Sequence, residues 1–587
     1  MSTTANTENV QKVIDLLKKK ISRQAAASFS VCVHCGMCTD TCHYYAATKD
    51  PKMAPAYKVD QLRKLYKYYI DWTGRIVPGW VGAKPLKDDK DLDSLMDVLY
   101  GSCTMCRRCT INCPMGVDTA LLVRIGRSLL TAVGKAPQGV KDVCKDQYET
   151  GNQMAVTKQD YLETIEWLSE ELQTATGDKN AIIPLDKKNA DVVYTINPRE
   201  VKYAPLSLLA AAKIFYAAGE NWTMPSEGWD NTNFGLFAGD DKLGALMGRR
   251  QFEKVYELGG KKLVVSECGH GFRATKWEAP NWAQMDLKFP IESFLETMTR
   301  YVKDGRIKLN PSVNKESVTY HDPCNLARSS GITEEPRFLL RHSVMDFREM
   351  YPNRADNWCC SGGGGAMSMS EYTARRIDVA KVKAEQLKRT EAQIVATACH
   401  NCVDALSDLI KYYKLDMKVK VVSELVSEAM VMEKRVPLKV ISAEEIVRGK
   451  GEKILVIDDE PDVVTFLTTL FEDHGYRTIP AYSVDEALKK LASDKPDMIT
   501  LDILMPGKTG IKLYHELRTT KNIMDIPVII ITGVNPVDYP QIDFRKFIYE
   551  RSLPHPEGFM DKPVNKEQLL ITVGKIFSQK KTAVKNA

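Results

Sequence analysis

The chain has 587 residues, 44% apolar and 27% charged, with a net charge of +5. That length predicts three or four domains with ordinary cores, and the mild charge, with no basic stripe interleaved with aromatics, argues against nucleic acid. The longest apolar stretch, Leu206 to Ala218, carries Lys213 and is too short to span a bilayer, and the N-terminus lacks an apolar signal core. Any membrane link is therefore expected to run through a partner. Clustered cysteines without a secretory signal read as metal ligands in a reducing compartment, not as disulfides.

The first expected element is an N-terminal helix, residues 1–27, with Val10, Val13, Leu16, Leu17 and Ile21 on one face. Packing on its own domain is the favoured role for that face over membrane anchoring. Residues 28–175 read as an α-helical domain. It holds Cys32, Cys35, Cys38 and Cys42 in a C-x2-C-x2-C-x3-C run, and Cys103, Cys106, Cys109 and Cys113 in the same spacing. His43 stands where the second run has Pro114. Between the runs, TGRIVPGWVGAKPL reads as a loop that exposes Trp72 and Trp80. TALLVRIGRSLLTAVG then reads as an amphipathic helix ended by Gly134. Cys144 stands alone on a helix and is given no role.

The matched runs resemble bacterial two-cluster ferredoxins, in which the fourth cysteine of each run ligates the other cluster. The resemblance implies one [4Fe-4S] cubane on Cys32, Cys35, Cys38 and Cys113. A second cubane would then sit on Cys103, Cys106, Cys109 and Cys42. C-x2-C pairs also suit zinc, but zinc would not need two matched four-cysteine runs.

From 200 to 437 the pattern is α/β, with strands expected at KLVVSE, SVTYHD, QIVATA and KVKVVSEL, each near a helical stretch, which favours a parallel sheet. Cys324 lies in HDPCNL, Cys359 and Cys360 precede SGGGG, and Cys399-x2-Cys402 follows IVATA. Each lies near a strand or loop end, where ligands can converge on the sheet's C-terminal edge. Five thiolates exceed the needs of one ordinary cubane, and the glycines let backbone N–H groups approach a bulky cluster. This set resembles the CCG domain of heterodisulfide reductases, with Ser361 where the family has its first glycine. The resemblance implies a noncubane or special [4Fe-4S] cluster on Cys324, Cys359, Cys360, Cys399 and Cys402, where disulfides are cleaved or formed. The family often has two such halves. Here the first is degenerate and keeps only Cys268 and His270, in SECGHGFR. With the helical domain, residues 10 to 435 resemble the HdrD-type subunits of membrane redox complexes, among them DsrK, HmcF and TmcB.

A linker is expected at 438–451 and a last α/β domain at 452–579. Asp458, Asp459 and Asp502 at strand ends could bind Mg²⁺. This segment resembles a response-regulator receiver of flavodoxin-like fold. The resemblance implies phosphorylation of Asp502 by a histidine kinase or other phosphodonor, with Thr532 and Lys562 on the phosphoryl oxygens and Phe559 as switch aromatic. The stretch from Thr532 to Lys562 is longer than usual for that family.

Three functions are weighed. The first is a cytoplasmic redox subunit, peripheral on the inner membrane face. It would pass electrons between an integral-membrane cytochrome b/quinone partner (DsrM-like) and a DsrC-like thiol protein in dissimilatory sulfur metabolism. The second is an electron-transfer subunit of a flavin-dependent 2-hydroxyacid dehydrogenase. The third is a redox-sensing signalling protein.

Overall fold

The computed structural model describes residues 2–431, 448–503, 505, 510–532, 554, 556–562 and 564–585. Two compact units form, one of residues 1–302 and 306–433, the other holding 434–587. The first begins with helices Ser2–Lys20 and Arg23–Val31. The expected single N-terminal helix is thus interrupted at Ile21–Ser22. There the Ser22 hydroxyl accepts from the Ala25 N–H and starts a new helix. Val10, Val13 and Leu17 are buried in the core of the helical region, so this face is spent on the protein's own interior. Trp72 and Trp80 are exposed, at 70% and 94%, although Trp72–Ile76 forms a short helix rather than plain loop.

The α/β region opens earlier than residue 200. Its first strand, β1 (Val192–Thr195), is only four residues long and is followed by Asn197-Pro198, so it left little periodicity to read. β2 (Trp222–Thr223), β3 (Leu263–Val265) and β4 (Ile291–Ser293) complete a parallel sheet in the order β2-β1-β3-β4. β5 (Ser317–His321), β6 (Asp346–Arg348), β7 (Ile394–Thr397) and β8 (Lys418–Val421) form a second parallel sheet in the order β6-β5-β7-β8. The KVKVVSEL segment is strand only to Val421; its remainder starts the helix Val422–Ala429. The two sheets therefore repeat one topology, and a single hydrophobic core runs through both.

The second unit has β9 (Lys453–Ile457), β10 (Arg477–Ala481), β11 (Met498–Leu501), β12 (Val528–Thr532) and β13 (Gly558–Asp561). They are parallel in the order β10-β9-β11-β12-β13, the doubly wound order of flavodoxin-like folds. Residues 432–447, which include most of the linker expected at 438–451, most of the long stretch after Thr532, and the Phe559 side chain lie outside the described residues. Among the described residues, no helix is long and apolar enough to cross a membrane.

Candidate functional site

The second cubane site is built by two segments. Cys42 caps the helix His43–Thr48, and the loop 103–107 with the short helix Arg108–Ile111 supplies the other segment. Cys42, Cys103, Cys106 and Cys109 line one cavity, together with Lys58 and Thr119. The buried Lys58 ammonium lies 3.7 Å from Cys42 Sγ. Burial pulls its pKa down, but the surrounding thiolates outweigh burial and leave it raised. Four thiols around one cavity, with a buried cation beside them, fit a [4Fe-4S] cluster whose complex with four thiolates is anionic. The first run meets the second as well: Cys38 interacts with Cys32 and Cys113. Val117 N–H points at Cys113 Sγ at 3.4 Å. Cys35 of this group is exposed.

The five-cysteine site forms past the ends of β5 and β7. Cys324 opens the helix Cys324–Ser330, Cys399 caps the helix His400–Tyr412, and Cys402 lies in that helix's first turn. N–H groups and the dipole at these helix starts favour thiolates. Cys360 Sγ lies 3.3 Å from Cys402 Sγ. Cys359 hydrogen-bonds with Cys106, Cys324 and Cys360, and Cys399 with Cys402. Ser361 and Gly362 aim their N–H groups at Cys359 and Cys360 Sγ, at 3.3 and 3.4 Å. Ser361 sits at φ +67°, a left-handed conformation that glycine adopts freely and serine at a cost of about 1 kcal/mol. A Cβ on Gly364 would meet the Thr104 backbone at 2.7 Å, so only glycine lets this loop lie against the helical domain. All five thiols converge here, as a cluster needing more than four sulfurs would require. Hydrogen bonds from neighbouring thiols push Cys360 and Cys399 down and hold Cys359 and Cys402 up.

Buried cations and imidazoles surround these sulfurs. His321 groups with Cys360 and Cys402 within 4.8 Å. His270, from the first half, interacts electrostatically with Cys399 and lies 3.5 Å from Cys268 Sγ. Burial would push His270 down, but the two thiolates raise it to about 10. Lys383, held down to about 7 by burial, bonds Asn357 Oδ1 at 2.7 Å. Arg127 is fully buried and donates to the carbonyls of Leu99 (3.0 Å), Cys103 (2.6 Å), Phe237 (3.1 Å) and Gly364 (2.6 Å). One side chain thereby ties the helical domain to both α/β halves. Sequence reasoning assigned no role to Lys58, His321, Lys383 or Arg127. Arg127 carried a signal: it falls on the apolar stripe of its helix, with Val123 four residues before and Leu130 three after.

Cys268, the survivor of the first half, is fully buried and accepts from Asn197 Nδ2 at 3.4 Å. Cys144 is buried among apolar side chains, and its thiol is pushed up to about 12 by burial.

In the second unit, Asp458, Glu460 and Asp502 bring carboxylate oxygens within 4.8 Å of one another. The third acid of this group is Glu460, whereas sequence reasoning chose Asp459. Lys562 Nζ reaches Asp502 (2.8 Å), Glu460 (2.7 Å) and Asp458 (3.0 Å), and burial raises the Asp458 carboxyl. Thr532 ends β12 beside Asp561 of β13.

Three family profiles match this chain: a 4Fe-4S dicluster domain at 28–117, a cysteine-rich (CCG) domain at 318–407 and a response regulator receiver domain at 454–573. The chain is 28% identical to an Hdr-like menaquinol oxidoreductase iron-sulfur subunit of Archaeoglobus profundus, over 72% of this chain and 84% of that one. It is also 28% identical to one subunit of the dihydromethanophenazine:CoB–CoM heterodisulfide reductase of Methanosarcina mazei, over 68% and 94%. Among solved structures, the receiver domain of a Francisella response regulator matches 22% of this chain and 99% of its own at 28% identity, with a TM-score of 0.19.

Proposed function

We propose that this chain, an HdrD-like iron–sulfur protein with dicluster, cysteine-rich and receiver domains, couples a membrane quinol or cytochrome b partner to a disulfide-type thiol substrate. Its homologues are heterodisulfide reductase-like oxidoreductases. The observation that carries the reading is convergence: five cysteines from three separate segments meet in one buried site, and Cys359 of that site touches Cys106 of the second four-cysteine cavity. When bound, the clusters would supply one-electron carriers and, at the five-cysteine site, iron open to a substrate sulfur.

The protein's own residues define an order of sites. Cys35 of the first run is exposed and flanked by exposed Val33 and Met37, which suits exchange with a partner. The second cavity is partly shielded, with the buried Lys58 to balance negative charge. The five-cysteine site is deepest and is closed from the helical domain by the Gly364 loop and Arg127. In the finer form of this reading, the substrate is a DsrC-like thiol protein of dissimilatory sulfur reduction. The cubanes sit on Cys32, Cys35, Cys38, Cys113 and on Cys42, Cys103, Cys106, Cys109. The receiver binds Mg²⁺ and takes a phosphoryl group on Asp502 from a kinase, as an input that adjusts the redox part.

A second reading has one supporting observation. The chain is 22% identical to an EtfAB:quinone oxidoreductase of Syntrophomonas wolfei, over 68% of this chain and 58% of that protein. A flavoprotein could then stand in place of the thiol substrate.

An EPR spectrum of the oxidised, anaerobically purified protein, with and without a reduced dithiol protein, separates the two. A paramagnetic centre in the oxidised state that the thiol perturbs is expected. Two ordinary cubanes and no such centre would leave the flavoprotein reading in possession.

A further inference from the structure

The two four-cysteine runs share their spacing but part at the residue after the fourth cysteine, and the structure turns that difference inward. Pro114, after Cys113, is exposed, whereas His43, after Cys42, is 3% exposed. The His43 ring packs on Tyr44 with centroids 4.6 Å apart. One imidazole nitrogen, Cys106 Sγ and Cys359 Sγ all lie within 4.8 Å of one another. The buried His43 Nε2 makes no hydrogen bond among the described residues. Cys106 belongs to the second cavity and Cys359 to the five-cysteine site, so this imidazole stands where the two sets of thiols meet.

The junction is held from both sides. Arg108 stacks on Trp358 at 3.7 Å and donates to the carbonyls of Thr41 (2.8 Å) and Asp356 (2.7 Å). Arg328 donates to the Cys106 carbonyl at 3.1 Å. Thr104 Oγ1 lies 3.3 Å from Cys359 Sγ. These contacts hold the segments on either side of the imidazole, which itself packs on Tyr44. An N–H directed at a ligand sulfur withdraws charge from it and stabilises the reduced centre, and such outer partners tune both potential and ligand orientation. A proline at this position would supply no N–H.

We propose that His43 is a positioning residue that joins the second cubane to the five-cysteine centre and sets their reduction potentials together. The first cubane, on Cys32, Cys35, Cys38 and Cys113, lies outside its reach. The inference rests on the functional reading above, because it needs both centres to be present. It concerns one-electron exchange alone, with no bond to the substrate made or broken at His43.

The test is a redox titration followed by EPR on the full-length, anaerobically purified protein, with iron and sulfide counted for each variant. His43→Phe keeps a flat ring and removes both nitrogens. His43→Gln keeps an N–H donor of similar reach. In His43→Phe, two of the three centres should shift to lower potential while the third keeps its wild-type value. His43→Gln should return both potentials towards wild type, and it carries the test if the Phe variant fails to load iron. Unmoved potentials in an iron-replete Phe variant would overturn the proposal, as would an equal shift of all three centres or a Gln variant no better than Phe. A wild-type spectrum without a five-cysteine centre would sink the functional reading and this inference with it. Three centres with unmoved potentials would sink the inference alone.

Discussion

The two halves of the α/β region share a strand order but not a chemistry. After β5 the chain reads Asp322-Pro323-Cys324; after β1 it reads Asn197-Pro198-Arg199. Trp358 precedes Cys359-Cys360, while Trp229 precedes Asp230-Asn231. After β7 come Cys399 and Cys402; after β3 come Cys268 and Gly271. The first half has replaced thiols with polar side chains that bond one another. Asp230 accepts from Thr232, Gln147 and Gln153, and Asn231 donates to Thr195 O and Ser266 Oγ. Thiols in one half suit a metal; in the other, amides, hydroxyls and a carboxylate bond one another, although Thr195 Oγ1 and Asn231 Oδ1 stay without a partner among the described residues. The sheet survives the change because its core is the strands and helices behind the loops, shared by both halves. The first half also keeps a task, since its His270 reaches Cys399 across the boundary.

The sharpest break of this comparison is a pair of matched substitutions. Cys360→Ser, or Cys359→Ser, should abolish disulfide reduction and remove one cluster's iron while both cubanes stay reducible. Cys268→Ser, at the position matching Cys399, should retain the iron. Normal turnover in the Cys360 variant would refute the five-cysteine centre, and lost iron in the Cys268 variant would make the first half a ligand donor. Next in size, Arg127→Met strands four buried carbonyls that join both halves to the helical domain. It should cost about 2–4 kcal/mol in denaturant unfolding, and an unchanged midpoint would deny that role.

A smaller effect concerns pH. Burial raises the Asp230 carboxyl from 3.8 to about 6, against the donors facing it. The folded chain then holds this proton more tightly than the unfolded chain. Stability from this group therefore falls as pH rises from about 4 to about 6 and is level above, a span on the order of 3 kcal/mol. Asp230→Asn should flatten that part of the unfolding profile relative to wild type; an identical slope in both proteins would place the titration elsewhere. The smallest expected effect on the redox centres is that of Asp502→Asn. It should block labelling by a small-molecule phosphodonor such as acetyl phosphate and leave iron content intact, whereas cluster loss would show that the two units are not separable.

Local spacing was the legible part. Cysteines two or three residues apart announce ligands because a short loop brings neighbouring thiols together whatever the rest of the fold does. The flavodoxin-like order of the last unit was equally open, since β-branched runs ending in Asp458, Asp502 and Thr532 mark strand ends. The degenerate first half was legible too, through Cys268 and His270 in SECGHGFR, whereas the strand β1 was hidden by its brevity and the break at Ser22 by apolar residues that continue across it. The partners of His43, Lys58 and Lys383 could not be read at all, and Arg127 showed only that it falls on an apolar stripe. Sequence alone determined which residues can bind iron, because ligand chemistry is local. Tertiary structure alone decided which buried cation or imidazole stands beside which sulfur. Those partners lie tens to hundreds of residues apart: Arg127 and Gly364 are separated by 237 positions, His43 and Cys359 meet from different domains, and only packing of the completed core brings them together.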